Sequence, residues 1–333
     1  MVENLSGKLY VSVILPLKYR GDATYVVPDE MAQSVVVGSW VKVDFAGKVY
    51  SAVVKWKSVA NGMYANGNEA DGIVYKDIIA VEPWEPVSLA EMTLWHQVSD
   101  YYLCTEGEVF KAAYPSLGLK QEVVKSRKSP ASYFETIKNE GKEYESPQLS
   151  PKQSAALDSI RNYLYNREGE QPINFKPLLL HGVTGSGKTE IYITLAIEQL
   201  KQGKSVLYMA PEIAITKQLQ MRLKRLFGSR LLVYHSKQSA VDKKLIRQVV
   251  GGSDDAGEPV VVLGTRSALF LPYKNLGIVV VDEEHDSSYK QTEPAPRYQA
   301  RDVAIMLANI HKANILLGSA TPSHKHIIAN KKV

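Results

Sequence analysis

A single cysteine, Cys104, stands among 333 residues. One thiol closes no disulfide within the chain and builds no cysteine-ligated zinc site, so a reducing compartment is expected. Long apolar runs are missing too: none approaches the roughly 18 residues that a membrane span requires. The amino terminus, MVENLSGKLY, lacks the basic-then-apolar pattern of a signal peptide. The expected location is the cytoplasm. No internal repeat is visible, and the seven histidines have no metal-ligand spacing with acids or with the cysteine.

What remains is an ordinary globular composition, 45% hydrophobic and 23% charged, on a chain long enough for two or three domains. Its charge is unevenly spread. Residues 1–106 hold 8 Lys+Arg against 13 Asp+Glu, whereas residues 148–333 hold 25 against 16. A basic second half is compatible with a polyanionic partner.

The first hundred residues read as β-rich. KLYVSVILPL, SWVKVDFAG, KVYSAVVKWKSV and KDIIAVEPW are short segments of Val, Ile, Tyr and Trp, separated by turn signals such as FAGK. SLAEMTLWHQVSDYYLC then has helical spacing behind Ser88, a suitable N-cap. The expectation is a small β-barrel or sandwich closed by a helix over residues 1–106. Residues 107–150 are polar and proline-containing and read as a linker with a short helix. From 151 the pattern changes to apolar strands alternating with amphipathic helices, which predicts an α/β unit whose parallel sheet is covered on both faces.

The chemistry concentrates in that second unit. Gly182-Val183-Thr184-Gly185-Ser186-Gly187-Lys188-Thr189 fits the phosphate-binding pattern GxxxxGK[ST], between the strand PLLL and the helix TEIYITLAIEQL. Glycines let backbone N–H groups turn around an anion, Lys188 reaches the β- and γ-phosphates, and the Thr189 hydroxyl binds Mg²⁺. Further on, IVVVDEEHDSSYKQ sets Asp282, Glu283 and Glu284 in succession at the end of a core strand. Three adjacent carboxylates repel one another unless a cation compensates them or one is needed as a base. In a phosphate-loop protein that strand end holds the Mg²⁺ of the nucleotide, so Asp282 is assigned to the metal and Glu283 to the attacking water.

Three more segments place small or hydroxyl residues after apolar strands, where open α/β sheets bind ligands: MAPEIAIT, LGTRSALF and LGSATPS. Thr216, Gly264, Thr265 and Arg266 are assigned to phosphates of a nucleic-acid strand. Ser319 and Thr321 are assigned to coupling the nucleotide site to movement. Each loop alone has a plain structural reading; their recurrence along one sheet edge is the more specific signal.

In order, GVTGSGKTE, PEIAIT, GTRSALF, DEEHDSSYKQ, RYQARD and GSATPS resemble the first motor lobe of the PriA family of superfamily 2 replication-restart DNA helicases. The resemblance covers about residues 148–325. It implies a RecA-like lobe at 151–333, ATP hydrolysis with Mg²⁺, and 3′-to-5′ translocation on forked and single-stranded DNA. By motif position Gln153 resembles an adenine-sensing glutamine, His285 completes the DEEH box as a coupling residue, and Tyr289 and Tyr298, at the family's aromatic-rich loop, are expected to stack on bases. Residues 1–106 resemble the family's 3′-DNA-end-binding domain, and 107–150 would be a linker or a shortened winged-helix region. Gly47 and Lys76 match further positions of that first domain loosely. Other primosome proteins and single-stranded-DNA-binding protein are implied partners, with no membrane partner. Compared with the family, the second motor lobe with its arginine finger and the cysteine-rich zinc region are missing here, and this chain alone is expected to be nearly inactive. Two other readings stand beside this one: a non-catalytic DNA- or partner-binding module, and a P-loop ATPase for a small molecule. The last leaves GTRSALF and GSATPS unexplained.

Overall fold

The computed structural model describes residues 8–59, 74–115, 136, 144–165, 177–252 and 258–321. The chain divides into two compact units, Met1–Glu122 and Val123–Val333.

The first unit is built on five antiparallel strands: β1 (Leu9–Ile14), β2 (Ala23–Val27), β3 (Trp40–Phe45), β4 (Lys48–Val59) and β5 (Ala80–Val81). Their order is β2-β1-β4-β3-β5. Ala46 and Gly47 both take positive φ, 51° and 79°, the conformation that a two-residue hairpin between right-twisted strands requires. The short segment around β5 decides between sandwich and barrel. Ile79 N–H donates to Lys42 O on one side, while Val26 N–H donates to Lys76 O and Ile78 N–H to Val26 O on the other. It therefore joins the last strand to the first and closes a small barrel around Val11, Val13, Tyr25, Val27, Val41, Val43 and Val54.

Helix α1 (Leu89–Tyr101) starts at a capping box in which the Ser88 and Glu91 side chains each bond the other's backbone. Helix α2 (Glu106–Ala113) starts at a second one, Thr105 with Glu108. The linker expected from residue 107 is corrected here. Val109 and Phe110 of α2 are fully buried, and the Phe110 ring stacks on Trp95 of α1 with centroids 5.2 Å apart. Most of the remaining linker expectation lies outside the described residues.

The second unit carries six parallel strands: β6 (Leu178–His181), β7 (Ser205–Met209), β8 (Leu231–Tyr234), β9 (Val261–Gly264), β10 (Leu276–Val281) and β11 (Asn314–Ser319). Helices α3 (Pro151–Tyr165), α4 (Lys188–Lys201), α5 (Lys217–Phe227), α6 (Ala240–Gly251) and α7 (Ala300–Ile310) surround them. All six residues of β10 are buried, as a strand covered on both faces must be. The expected α/β unit with a parallel sheet is observed. Strand order β6-β11-β10-β7-β9-β8 sets β6, β11 and β10 side by side. The carboxyl ends of these three carry the glycine-rich loop, Ser319 and Asp282, so the topology alone gathers them at one edge. No helix among the described residues is long and apolar enough to cross a membrane.

Candidate nucleotide site and nucleic-acid interface

The glycine-rich loop runs from the end of β6 into α4. Gly185 and Gly187 have φ of 80° and 83°, a left-handed turn that side chains with a Cβ rarely adopt. At Gly187 there is a second reason: a Cβ would lie 1.8 Å from Gln153 Nε2. That amide donates to Gly187 O at 3.2 Å and Ser186 O at 3.4 Å, while Gln153 Oε1 accepts from Ser150 N–H at 2.7 Å. Gln153 thus ties the start of α3 to the loop. Val183, Thr184, Gly185 and Ser186 form an exposed crest, and Gly182 stands half-buried at its base. Lys188 is buried beneath, its Nζ donating to Gly182 O at 2.8 Å.

Opposite the loop, the three adjacent carboxylates have three different fates. Asp282 is half-buried and accepts from Tyr192 at Oδ1 (3.3 Å), from Tyr208 at Oδ2 (3.2 Å) and from Glu283 N–H at Oδ1 (3.1 Å). Burial first, and the Glu283 carboxylate second, raise its pKa above the ordinary carboxylate value; Tyr208, Lys188 and the Glu283 N–H act the other way. Its ionised form is therefore disfavoured by its surroundings, and a divalent cation beside it would offset that. Together with the Thr189 hydroxyl it offers an oxygen-only donor set, which fits Mg²⁺.

Glu283 stays partly open. Its Oε1 lies 3.5 Å from Lys188 Nζ and its Oε2 3.7 Å from His285 Nδ1. Its φ is +47°, a conformation that costs a non-glycine residue about 1–3 kcal/mol. Backbone bonds on both sides fix it: Asp282 N–H to Met209 O and Glu284 N–H to Gly318 O, each 2.9 Å.

Glu284 has no exposed surface, and its cation is Arg301, with NH1 2.9 Å from Oε2. Arg301 also meets Asp302 at 3.1 Å. The compensating charge for the third carboxylate is thus a protein side chain. On the remaining strand end, His285 Nδ1 lies 2.8 Å from Ser319 Oγ, which accepts from Thr321 N–H at 3.2 Å. The three assigned coupling residues form one chain beside the acidic cluster.

Residues 150–328 match the family model of the DEAD/DEAH box helicases. The chain belongs to that family. Residues 12–115 match a second model, the PriA 3′DNA-binding domain. Replication restart protein PriA of Rickettsia conorii is 33% identical over 317 residues, covering 93% of this chain and 42% of that protein. PriA of Chlamydia pneumoniae is 48% identical over 176 residues, 53% of this chain and 22% of that one. PriA of Bacillus subtilis is 44% identical over 180 residues, 53% and 20% respectively. The chain spans less than half the length of each of these relatives.

The residues assigned to DNA divide sharply in this helicase lobe. Thr216 is exposed and caps α5, its hydroxyl accepting from Leu219 N–H at 3.2 Å. Arg266 is half-buried and donates from NH1 to Ser288 O at 3.0 Å and Lys290 O at 3.2 Å, gripping the loop after the acidic cluster. Gly264 has no room for a Cβ, which would stand 2.3 Å from Ala268 Cβ, and Thr265 is 3% exposed. Stacking by Tyr289 and Tyr298 is corrected: they are 1% and 2% exposed. Tyr289 donates to Asp282 O at 2.7 Å, and Tyr298 donates to Arg266 O at 3.3 Å with its ring edge-on to Phe270. Rings packed on all sides offer no face to a base.

Three side chains that hold the acidic cluster in place escaped the sequence reading: Arg301, Tyr192 and Tyr208. A signal was present for each. Arg301 sits in the quoted RYQARD motif, and the tyrosines interrupt the apolar runs EIYITLAI and SVLYMA, where a buried hydroxyl needs a partner. In the first unit, Lys76 pairs with the Asp44 carboxylate, which also accepts from Gly47 N–H.

Proposed function

We propose that this chain provides the first ATP-driven motor lobe and a DNA-binding module of a cytoplasmic replication-restart helicase. It moves 3′ to 5′ on forked or single-stranded DNA, alongside other primosome proteins and single-stranded-DNA-binding protein. One observation carries the reading: Lys188 Nζ stands 3.5 Å from Glu283 Oε1, next to Asp282, so phosphate loop and acidic strand end meet. The loop N–H groups of 182–189 and Lys188 bind the β- and γ-phosphates of ATP. Thr189 and Asp282 would hold Mg²⁺, which neutralises charge on the phosphates when bound. Glu283 accepts the proton of the water that attacks the γ-phosphate, and its fixed backbone keeps it aimed without reorganisation. Thr216 and Arg266 stand at the lip of the same sheet edge, where DNA phosphates are to be met. His285, Ser319 and Thr321 couple that edge to the nucleotide.

A match to a DNA-binding domain also favours a second reading, a DNA- and partner-binding module without turnover. An ATPase assay with and without forked DNA separates the two. DNA-stimulated hydrolysis supports the motor. DNA binding with no hydrolysis, even with excess protein over ATP, supports the module. Hydrolysis indifferent to DNA returns a small-molecule ATPase.

A further inference from the structure

Three tyrosines from three different elements converge on Asp282. Tyr192 comes from α4, Tyr208 from β7 and Tyr289 from the turn after β10, and each is at most 3% exposed. They divide its acceptors among them: Oδ1 to Tyr192, Oδ2 to Tyr208 and the main-chain oxygen to Tyr289. Tyr192 and Tyr208 also brace each other, ring edge to face, with centroids 5.6 Å apart. Strand β11 accommodates the arrangement: a Cβ at Gly318 would lie 1.7 Å from the Tyr192 hydroxyl.

We infer that Tyr192 and Tyr208 are positioning residues that orient the Asp282 carboxylate as a magnesium ligand of the nucleotide site. This rests on the motor reading above. The bland alternative is that Asp282 merely satisfies two buried hydroxyls. The two differ in what removing a hydroxyl does. Under the alternative only stability changes; under the proposal the magnesium requirement changes.

The test titrates the full chain with a fluorescent ATP analogue at a series of Mg²⁺ concentrations and again with chelator present. Tyr208→Phe should raise the Mg²⁺ needed for half-maximal binding several-fold, and Tyr192→Phe with Tyr208→Phe about 10-fold, the scale of hydrogen bonds to an ionised acceptor. Affinity in chelator should stay as in the native chain, which also reports that the site is folded. Gly318→Ala should reproduce the Tyr192→Phe shift by a different route, pushing the hydroxyl away. Asp282→Asn is run beside them. If it shifts the Mg²⁺ dependence and the tyrosine variants stay within twofold of native, the proposal is wrong and the motor reading stands. Loss of affinity in chelator equal to the loss with Mg²⁺ also overturns it, since that is general disruption. If Asp282→Asn itself leaves the Mg²⁺ dependence flat, the assignment of the acidic strand end falls, and this inference with it.

Discussion

Strands β10 and β9 leave the same edge of one parallel sheet, yet their loops came out opposite in kind. After β10 the chain keeps polar side chains at the surface of a shared space, each held by a partner from another element: Asp282 by two tyrosines, Glu283 by Lys188, His285 by Ser319. After β9 it folds inward. Gly264 has no room for a side chain, Thr265 is covered, and Ala268, Leu269 and Phe270 are buried in a short 3-10 turn. In sequence the two stretches look alike, an apolar strand followed by small and polar residues. Position at a strand's carboxyl end tells where a ligand sits on such a sheet. Which side chains face it is decided by the next element packed there, here α7 and the loop before it.

The contrast is sharpest if the open side chains at this edge govern chemistry while the buried ones, from either loop, govern stability. Glu283→Gln should give the largest effect. It keeps size and hydrogen bonding but removes the proton acceptor, so hydrolysis should fall by about 10²–10⁴ while Mg-ATP still binds. Loss of binding along with turnover would make Glu283 a metal-holding or structural residue and return the base to an open question.

Arg301→Met comes next, and its effect is on folding. It removes the cation from a fully buried Glu284 carboxylate, which should destabilise the chain by about 3–5 kcal/mol in denaturant titration. Adding Glu284→Met should recover most of that loss, because the penalty is a buried charge without its counter-ion rather than a missing attraction. No recovery would mean that packing of the guanidinium stem matters more than its charge.

Lys188→Ala should weaken Mg-ATP by about 10- to 150-fold, the size of one or two lost charge-assisted contacts, with the melting temperature little changed. An unchanged dissociation constant would reject the phosphate-loop assignment outright.

The glycine-rich loop was legible because backbone form is written directly into it: Gly185 and Gly187 stand where φ must be positive. The parallel sheet was legible because runs such as IVVV suit a strand covered on both faces. Barrel closure was not, since β5 has two residues and works through backbone bonds that leave no apolar pattern. Helix α2 could have been seen: Thr105 and Glu108 have capping-box spacing before an apolar pair. The cation of Glu284 lies 17 residues further along the chain, a distance that only the packing of α7 on the sheet closes. Burial of Tyr289 and Tyr298 was illegible for the same reason, as aromatic residues in a polar loop look identical whether they stack on a base or on Phe270.

The smallest effect tests that last point. Tyr298→Phe removes a hydroxyl that donates to Arg266 O at 3.3 Å and leaves the ring edge-on to Phe270. One neutral hydrogen bond contributes about 0.5–1.5 kcal/mol, so the midpoint of unfolding should drop slightly. Forked-DNA affinity should not move. Phenylalanine would stack on a base as well as tyrosine does, so this variant alone leaves the two readings close together. Tyr298→Leu separates them. A stacking residue should lose about 1–3 kcal/mol of DNA affinity with stability nearly intact. A core residue should lose stability while the folded fraction binds DNA as before. Measured at a temperature where both variants are folded, weaker DNA binding by Tyr298→Leu with an unchanged melting temperature would put the ring back at the DNA surface.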